Sequence, residues 1–200
     1  MAAGEASLKY QIDELGSSNR RLSRQVLRLK QAVTLARYAA GHDGLTGLAN
    51  RSLLLDRLEQ AFLRSARSRK QVVLLLLDID NFKSINDRFG HAAGDDLLRE
   101  VAGRLSDCVR RADTVSRLGG DEFVIVLPDI EVAIALTVAG RVLENVRAAL
   151  AAPYCIEGCV LQLTASMGMA VSCSQKVSCR DLLRQADTAM FRVKSVAGHA

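Results

Sequence analysis

The sequence predicts an α/β (α+β) sandwich, with a central mixed or antiparallel sheet surrounded by helices, preceded by an N-terminal coiled-coil helix. Three stretches carry that expectation. Apolar residues recur every seven positions across residues 8–36. Gln71 to Leu77 is an apolar run of strand length, the mark of a buried central strand. Arg117-Leu118-Gly119-Gly120-Asp121-Glu122-Phe123, followed by Val124-Ile125-Val126-Leu127, reads as strand, turn and strand. Glycine is the default residue where the backbone takes φ > 0 or a ligand comes close.

In chain order, Leu8, Leu15, Leu22 and Leu29 form one row of the N-terminal helix. Ile12, Asn19, Val26 and Val33 form the other. Leucine at d with β-branched residues at a favours a parallel two-stranded coiled coil, and a lone Asn at a sets register. A helix packed on its own domain needs a wider apolar stripe. Gly16-Ser17-Ser18 weakens the middle of this helix. After Gly41-His42-Asp43-Gly44, a second helix is expected to about Ser65, then the Gln71–Leu77 strand. Helices are expected from Ser84 and again from Gly94, the central hairpin at about 114–127, and an amphipathic helix over Glu131–Leu150. Residues 154–172 read as a second hairpin, and a last helix runs from Arg180 to about Lys194.

Composition narrows the classes. The net charge of +5 sits mostly in residues 1–40, where Lys9, Arg20, Arg21, Arg24, Arg28, Lys30 and Arg37 face only Glu5, Asp13 and Glu14. The rest is nearly neutral, so no nucleic-acid partner is expected, since that footprint belongs on the folded domain. No apolar run reaches the roughly 20 residues of a transmembrane helix, and residues 1–20 lack a signal-peptide core. Five cysteines (Cys108, Cys155, Cys159, Cys173, Cys179) without a C-x-x-C pair argue against disulfides or zinc and for a reducing, cytoplasmic setting.

The chemistry is expected at two acidic places. A buried strand ending in Asp78-Ile79-Asp80 puts Asp78 and Asp80 on one side by its two-residue period. The hairpin tip carries Asp121 and Glu122. Carboxylates from adjacent strands suit a hard divalent cation shared with substrate phosphates, the arrangement of two-metal phosphoryl and nucleotidyl transfer. Lys83, one turn beyond, is placed to neutralise phosphate. Neither a P-loop nor a G-x-G-x-x-G fingerprint is present, so nucleotide chemistry here must rest on carboxylate-held metal.

Gly119-Gly120-Asp121-Glu122-Phe123 is, letter for letter, the signature of the GGDEF family of diguanylate cyclases, and the resemblance covers about residues 42–198. Asp43-x-Leu45-Thr46-Gly47-Leu48-x-Asn50-Arg51 resembles the family's opening motif. Asp78-x-Asp80-x-Phe82-Lys83-x-Ile85-Asn86-Asp87-x-x-Gly90-His91-x-x-Gly94-Asp95 resembles its substrate motif. Ser166-x-Gly168 and Ala186-Asp187-x-Ala189-Met190-Phe191 resemble its C-terminal motifs. The resemblance implies a nucleotidyl-cyclase or palm-like domain over 42–200, behind a signalling and dimerisation helix over 1–41. It implies condensation of two GTP into cyclic di-3′,5′-GMP, with one GTP per domain and Mg²⁺ (or Mn²⁺) as cofactor, while the heptad rows point to a homodimer joined through residues 8–36.

By the same resemblance, Asp78, the carbonyl of Ile79 and Asp121 hold metal, and Asp121 or Glu122 removes the proton from the attacking hydroxyl. Asn86 and Asp95 read guanine, and an Asp at position 95 favours GTP over a mixed product. Asn81, Phe82, Lys83 and Lys194 surround the substrate, with both lysines on phosphate. Arg110-Arg111-Ala112-Asp113 stands at the spacing of the family's R-x-x-D product-inhibition site, with Arg110 on guanine and phosphate of cyclic di-GMP and Asp113 on a second guanine.

The ending departs from the family's Lys-x-x-Gly-Arg: this chain reads Lys194-Ser195-Val196-Ala197-Gly198-His199-Ala200. A competing reading makes the domain a catalytically weak module that binds GTP or cyclic di-GMP. A third makes the coiled-coil dimer its main product. Retention of Asp78, Asp121 and Glu122 favours the enzyme. Control is expected through the packing or register of residues 5–40.

Overall fold

The computed structural model describes residues 2–172 and 177–196; Cys173 and the Gly198-His199 ending lie outside the described residues. Contacts divide the chain into two units, Met1–Ala40 and Gly41–Ala200. The first is almost all of helix α1 (Ala2–Gly41). Its heptad side chains are described from Leu15 onward, those of Leu8 and Ile12 lying outside. Leu15, Leu22, Val26, Leu29 and Val33 are 50–70% exposed, so the apolar rows have no partner within their own unit.

The second unit contains α2 (Arg51–Ser68), β1 (Gln71–Ile79), α3 (Phe82–Phe89), α4 (His91–Asp107), β2 (Thr114–Gly119) and β3 (Glu122–Ile130). A 3₁₀ turn (Val132–Ile134), α5 (Ala135–Ala151), β4 (Tyr154–Ile156), β5 (Cys159–Leu161), β6 (Ala165–Val171) and α6 (Cys179–Val196) follow. The main sheet has the order β2-β3-β1-β6, and every neighbouring pair in it is antiparallel.

β1 is central and buried on both faces, which is why its sequence is continuously apolar. Val73, Leu75, Leu77 and Ile79 enter the core formed with α4 and α5; Val72, Leu74 and Leu76 enter the one formed with α2 and α6. β3 alternates likewise, Phe123, Ile125 and Leu127 against Val124 and Val126. Each such fully buried aliphatic side chain contributes about 1.5–3 kcal/mol, so the strand carrying the acidic positions is among the most firmly held parts of the domain.

Two stretches differ from the sequence expectation. The expected second hairpin is two separate things: β4 and β5 pair with each other, while β6 leaves them and pairs with β1. Glu157 and Gly158, both at positive φ (49° and 78°), close β4–β5 as a two-residue turn, and the chain is then free to cross to the main sheet. α3 and α4 each begin earlier than expected. Asn81 in the left-handed region (φ 58°) and Gly90 (φ 85°) set their starts.

Gly168 on β6 explains how α6 reaches the sheet. A Cβ there would collide with Ala186 O and Met190 N of α6 and lie 2.8 Å from Met190 Cα. Backbone cannot yield as a flexible side chain does, so Ser166-x-Gly168 and Ala186–Phe191 are two halves of one close approach. Gly168→Ala should therefore cost about 1–3 kcal/mol, read as a melting point lowered by roughly 4–8 °C. An unchanged melting point would show that the helix does not sit this close.

Candidate active site

Antiparallel pairing sets Asp78 of β1 directly opposite Glu122 of β3, with Asp121 next in the turn. Residues so paired have Cβ atoms about 5 Å apart on one face, and like charges there repel. Burial first, and then the neighbouring Asp78 charge, push both the Asp121 and the Glu122 carboxyl above their ordinary values; for Glu122, Asp121 and Asp187 add to the effect. Lys194 of α6 enters from the other side, its Nζ donating to Asp78 Oδ1 at 2.9 Å. Its ammonium is pushed above the ordinary lysine value, chiefly by that bond.

The turn itself is held by a residue to which the sequence assigned no role. The Arg117 guanidinium donates from Nε and Nη2 to the Gly120 carbonyl at 2.9 and 2.7 Å, and from Nη1 to both Asp43 oxygens at 3.1 and 3.3 Å. Asp43 also accepts from the Thr46 backbone N–H and hydroxyl. Burial alone would raise the Asp43 carboxyl, but those Thr46 bonds and Arg117 outweigh it and hold it below its ordinary value. The opening motif thus braces the Gly-Gly turn, where Gly119 and Gly120 have φ of 150° and 53°. An arginine just before a Gly-Gly turn was the available signal.

Asp80 takes a different part from Asp78. Its carboxylate accepts from Thr164 Oγ1 at 2.6 Å and Ser166 Oγ at 2.7 Å, and its backbone N–H donates to the Thr164 carbonyl. It ties β1 to β6, while Asp78 faces the cation. Among the described residues no three His, Cys, Asp or Glu side chains converge as a ready-made metal cage. Two carboxylates and the Ile79 carbonyl are nevertheless hard oxygen donors of the kind Mg²⁺ takes when substrate phosphates complete its shell. Their crowded negative charge, with an ammonium already drawn in, fits a cation.

Asn81 ends the β1 turn and α3 follows, carrying Phe82, Lys83 and Asn86. α3 packs on α4, which bears the exposed Asp95 just past its first turn. Gly94 is what lets Asn86 lie there: a Cβ at position 94 would collide with Asn86 Oδ1 and come within 3.2 Å of Phe82 Cζ. The structure therefore brings Asn86 against Gly94, the residue that precedes Asp95 in α4.

The R-x-x-D stretch is a tight turn. The Asp113 carboxylate accepts from the Arg110 backbone N–H (2.9 Å), Nε (3.3 Å) and Nη2 (3.1 Å), with a side chain only 2% exposed against 63% for Arg110. The Asp113 oxygens face inward and hold Arg110 in place. Arg141 and Asn145 of α5, unmarked by the sequence reading, line a cavity of about 230 Å³ with Cys108, Arg110 and Asp113.

An antiparallel sheet with helices on both faces and carboxylates where two of its strands end defines a nucleotidyl-cyclase type of domain. Residues 40–199 match the family model described as "Diguanylate cyclase, GGDEF domain", and the chain belongs to that family. It is 37% identical over 190 residues to the bifunctional diguanylate cyclase/cyclic di-GMP phosphodiesterase MucR of Pseudomonas aeruginosa, covering 95% of this chain and 26% of that protein. Identity to the diguanylate cyclase DgcP of the same organism is 42% over 153 residues, 76% of this chain and 22% of the relative. The chain thus spans about a quarter of the length of these two curated relatives. Among solved structures, the coiled coil and GGDEF domain of DgcB from Caulobacter crescentus, in complex with c-di-GMP, superimposes with a TM-score of 0.81 at 28% identity, covering 92% of this chain and 95% of that one.

The raised carboxyls give a pH-dependent expectation. Because Asp121 and Glu122 hold protons more tightly folded than unfolded, ionising them costs stability as pH rises through their folded values. An Asp121→Asn/Glu122→Gln variant should melt about 1–3 °C higher than the parent at pH 7. That advantage should shrink toward pH 4. A gap independent of pH would mean that charge repulsion is not its source.

Proposed function

We propose that residues 42–200 are a diguanylate cyclase domain that condenses two GTP into cyclic di-3′,5′-GMP and two pyrophosphates. The observation that carries this reading is the register setting Asp78 opposite Glu122, with Asp121 adjoining and Asn86 and Asp95 on the next two helices. Asp78, the Ile79 carbonyl and Asp121 would hold Mg²⁺ or Mn²⁺, which when bound neutralises charge developing on the α-phosphoryl and the leaving pyrophosphate. The first N–H groups of α3, from Asn81 to Lys83, offer donors to phosphate, as helix N-termini do. Lys83 and Lys194 add positive charge.

Asn86 and Asp95 hold the guanine. Asp95 accepts from N1–H and the exocyclic amine, a donor pair that adenine does not offer. Asp121 takes the proton from the 3′-hydroxyl of the opposing GTP. As the 3′-oxygen bonds to the α-phosphorus, the bond to the β-phosphate oxygen breaks and pyrophosphate leaves. A second, reciprocal step closes the ring.

One GTP per domain requires two domains face to face. The unpartnered apolar rows of α1 support a parallel homodimer through residues 8–36, and GTP use fits a cytoplasmic setting. The DgcB coiled coil and GGDEF domain in complex with c-di-GMP supports cyclic di-GMP as a ligand of this chain too. Arg110, aimed by Asp113 and joined by Arg141, would bind it as inhibitor.

Incubation with GTP and Mg²⁺ followed by ion-exchange separation should yield cyclic di-GMP from the parent chain. Asp121→Ala/Glu122→Ala should make none; equal product from both would overturn the assignment of the hairpin acids. Arg110→Ala should retain its initial rate yet lose inhibition by added cyclic di-GMP, and undiminished inhibition would remove Arg110 from that site.

A further inference from the structure

Lys194 and Asp78 are 116 residues apart in sequence, yet they form a half-buried ion pair with a 2.9 Å hydrogen bond at the mouth of the carboxylate cluster. The partner is specific. Arg117, the nearby guanidinium, is bound to Asp43 and the Gly120 carbonyl. Asp80, the nearby carboxylate, is satisfied by Thr164 and Ser166. Asp78 is thus left facing Glu122 with Lys194 as the cation bonded to it.

An ammonium on a carboxylate oxygen and a divalent ion on the same carboxylate compete, since both seek the same lone pairs and repel each other at contact distance. A triphosphate changes the balance. Its oxygens give the lysine a second anion to bind, and they complete the shell of the metal.

We propose that Lys194 is a built-in placeholder for the metal: it covers Asp78 in the empty site, weakens the binding of bare divalent ions, and moves to phosphate when metal and GTP arrive together. The lysine therefore couples the two ligands, making each bind better in the presence of the other, and α6 senses whether the site is loaded. This rests on the reading of Asp78 as a metal ligand.

The test is Mn²⁺ binding without nucleotide, followed by electron paramagnetic resonance on the full chain, for the parent, Lys194→Met, Lys194→Arg and Asp78→Asn, each checked for a cooperative melt. Lys194→Met keeps the apolar stem and removes the charge. It should bind bare Mn²⁺ at least fivefold more tightly than the parent, the low end of typical coupling between sites. With a non-hydrolysable GTP analogue present, its Mn²⁺ affinity should gain less than the parent's does. Lys194→Arg should stay close to the parent in bare Mn²⁺ affinity. If Asp78→Asn loses Mn²⁺ while Lys194→Met binds it no better than the parent, the placeholder role is overturned and the metal assignment stands. If Asp78→Asn binds Mn²⁺ as the parent does, both fail.

Discussion

Asp78 and Glu122 face each other across β1 and β3, and the rest of the domain is arranged to hold that unfavourable pairing in place. Two carboxylates at one sheet position would drift apart on mobile segments. Here each belongs to a strand packed on both faces, with Leu77 and Ile79 beside Asp78 and Phe123 beside Glu122 almost wholly out of solvent. Burial of those neighbours makes slipping or peeling costly, so repulsion is met by attracting a cation. A stable sheet thus converts apolar packing into a fixed concentration of negative charge.

The polar contacts around this point share a pattern. Asp43 through Arg117 pins the Gly120 carbonyl, and Asp80 through Thr164 and Ser166 pins β6 to β1. Both are acids by identity but structural by position, with every charged oxygen bonded to a donor from a distant part of the chain. They hold the loops at the strand ends, where backbone hydrogen bonding of the sheet runs out. Gly94 and Gly168 do the complementary work of absence, making room for Asn86 and for α6.

The helix α1 is organised on other terms. Its apolar rows lie outside any core of their own unit, whereas those of α2 and α6 are buried against the sheet. The proposed joining of two nucleotides held by two domains would be served by an element whose own stability depends on a second copy. An amphipathic helix with a narrow apolar seam has that property.

Much of this protein was legible in the sequence because it depends on short-range spacing. The apolar run of β1, the two-residue period and the glycine turn place Asp78 at a strand end and Asp121 and Glu122 on a hairpin. The seven-residue rows mark α1, and the motifs name the family. Tertiary structure alone decided which acid meets which partner. Asp78 and Asp80 are alike in the sequence, but the crossing of β6 to β1 gives Asp80 two hydroxyls and leaves Asp78 to Lys194. Arg117 reached back 74 residues to Asp43, because burial rewards any arrangement that satisfies a charge. Such pairings arise between segments far apart in the chain, where local pattern carries no information about distance.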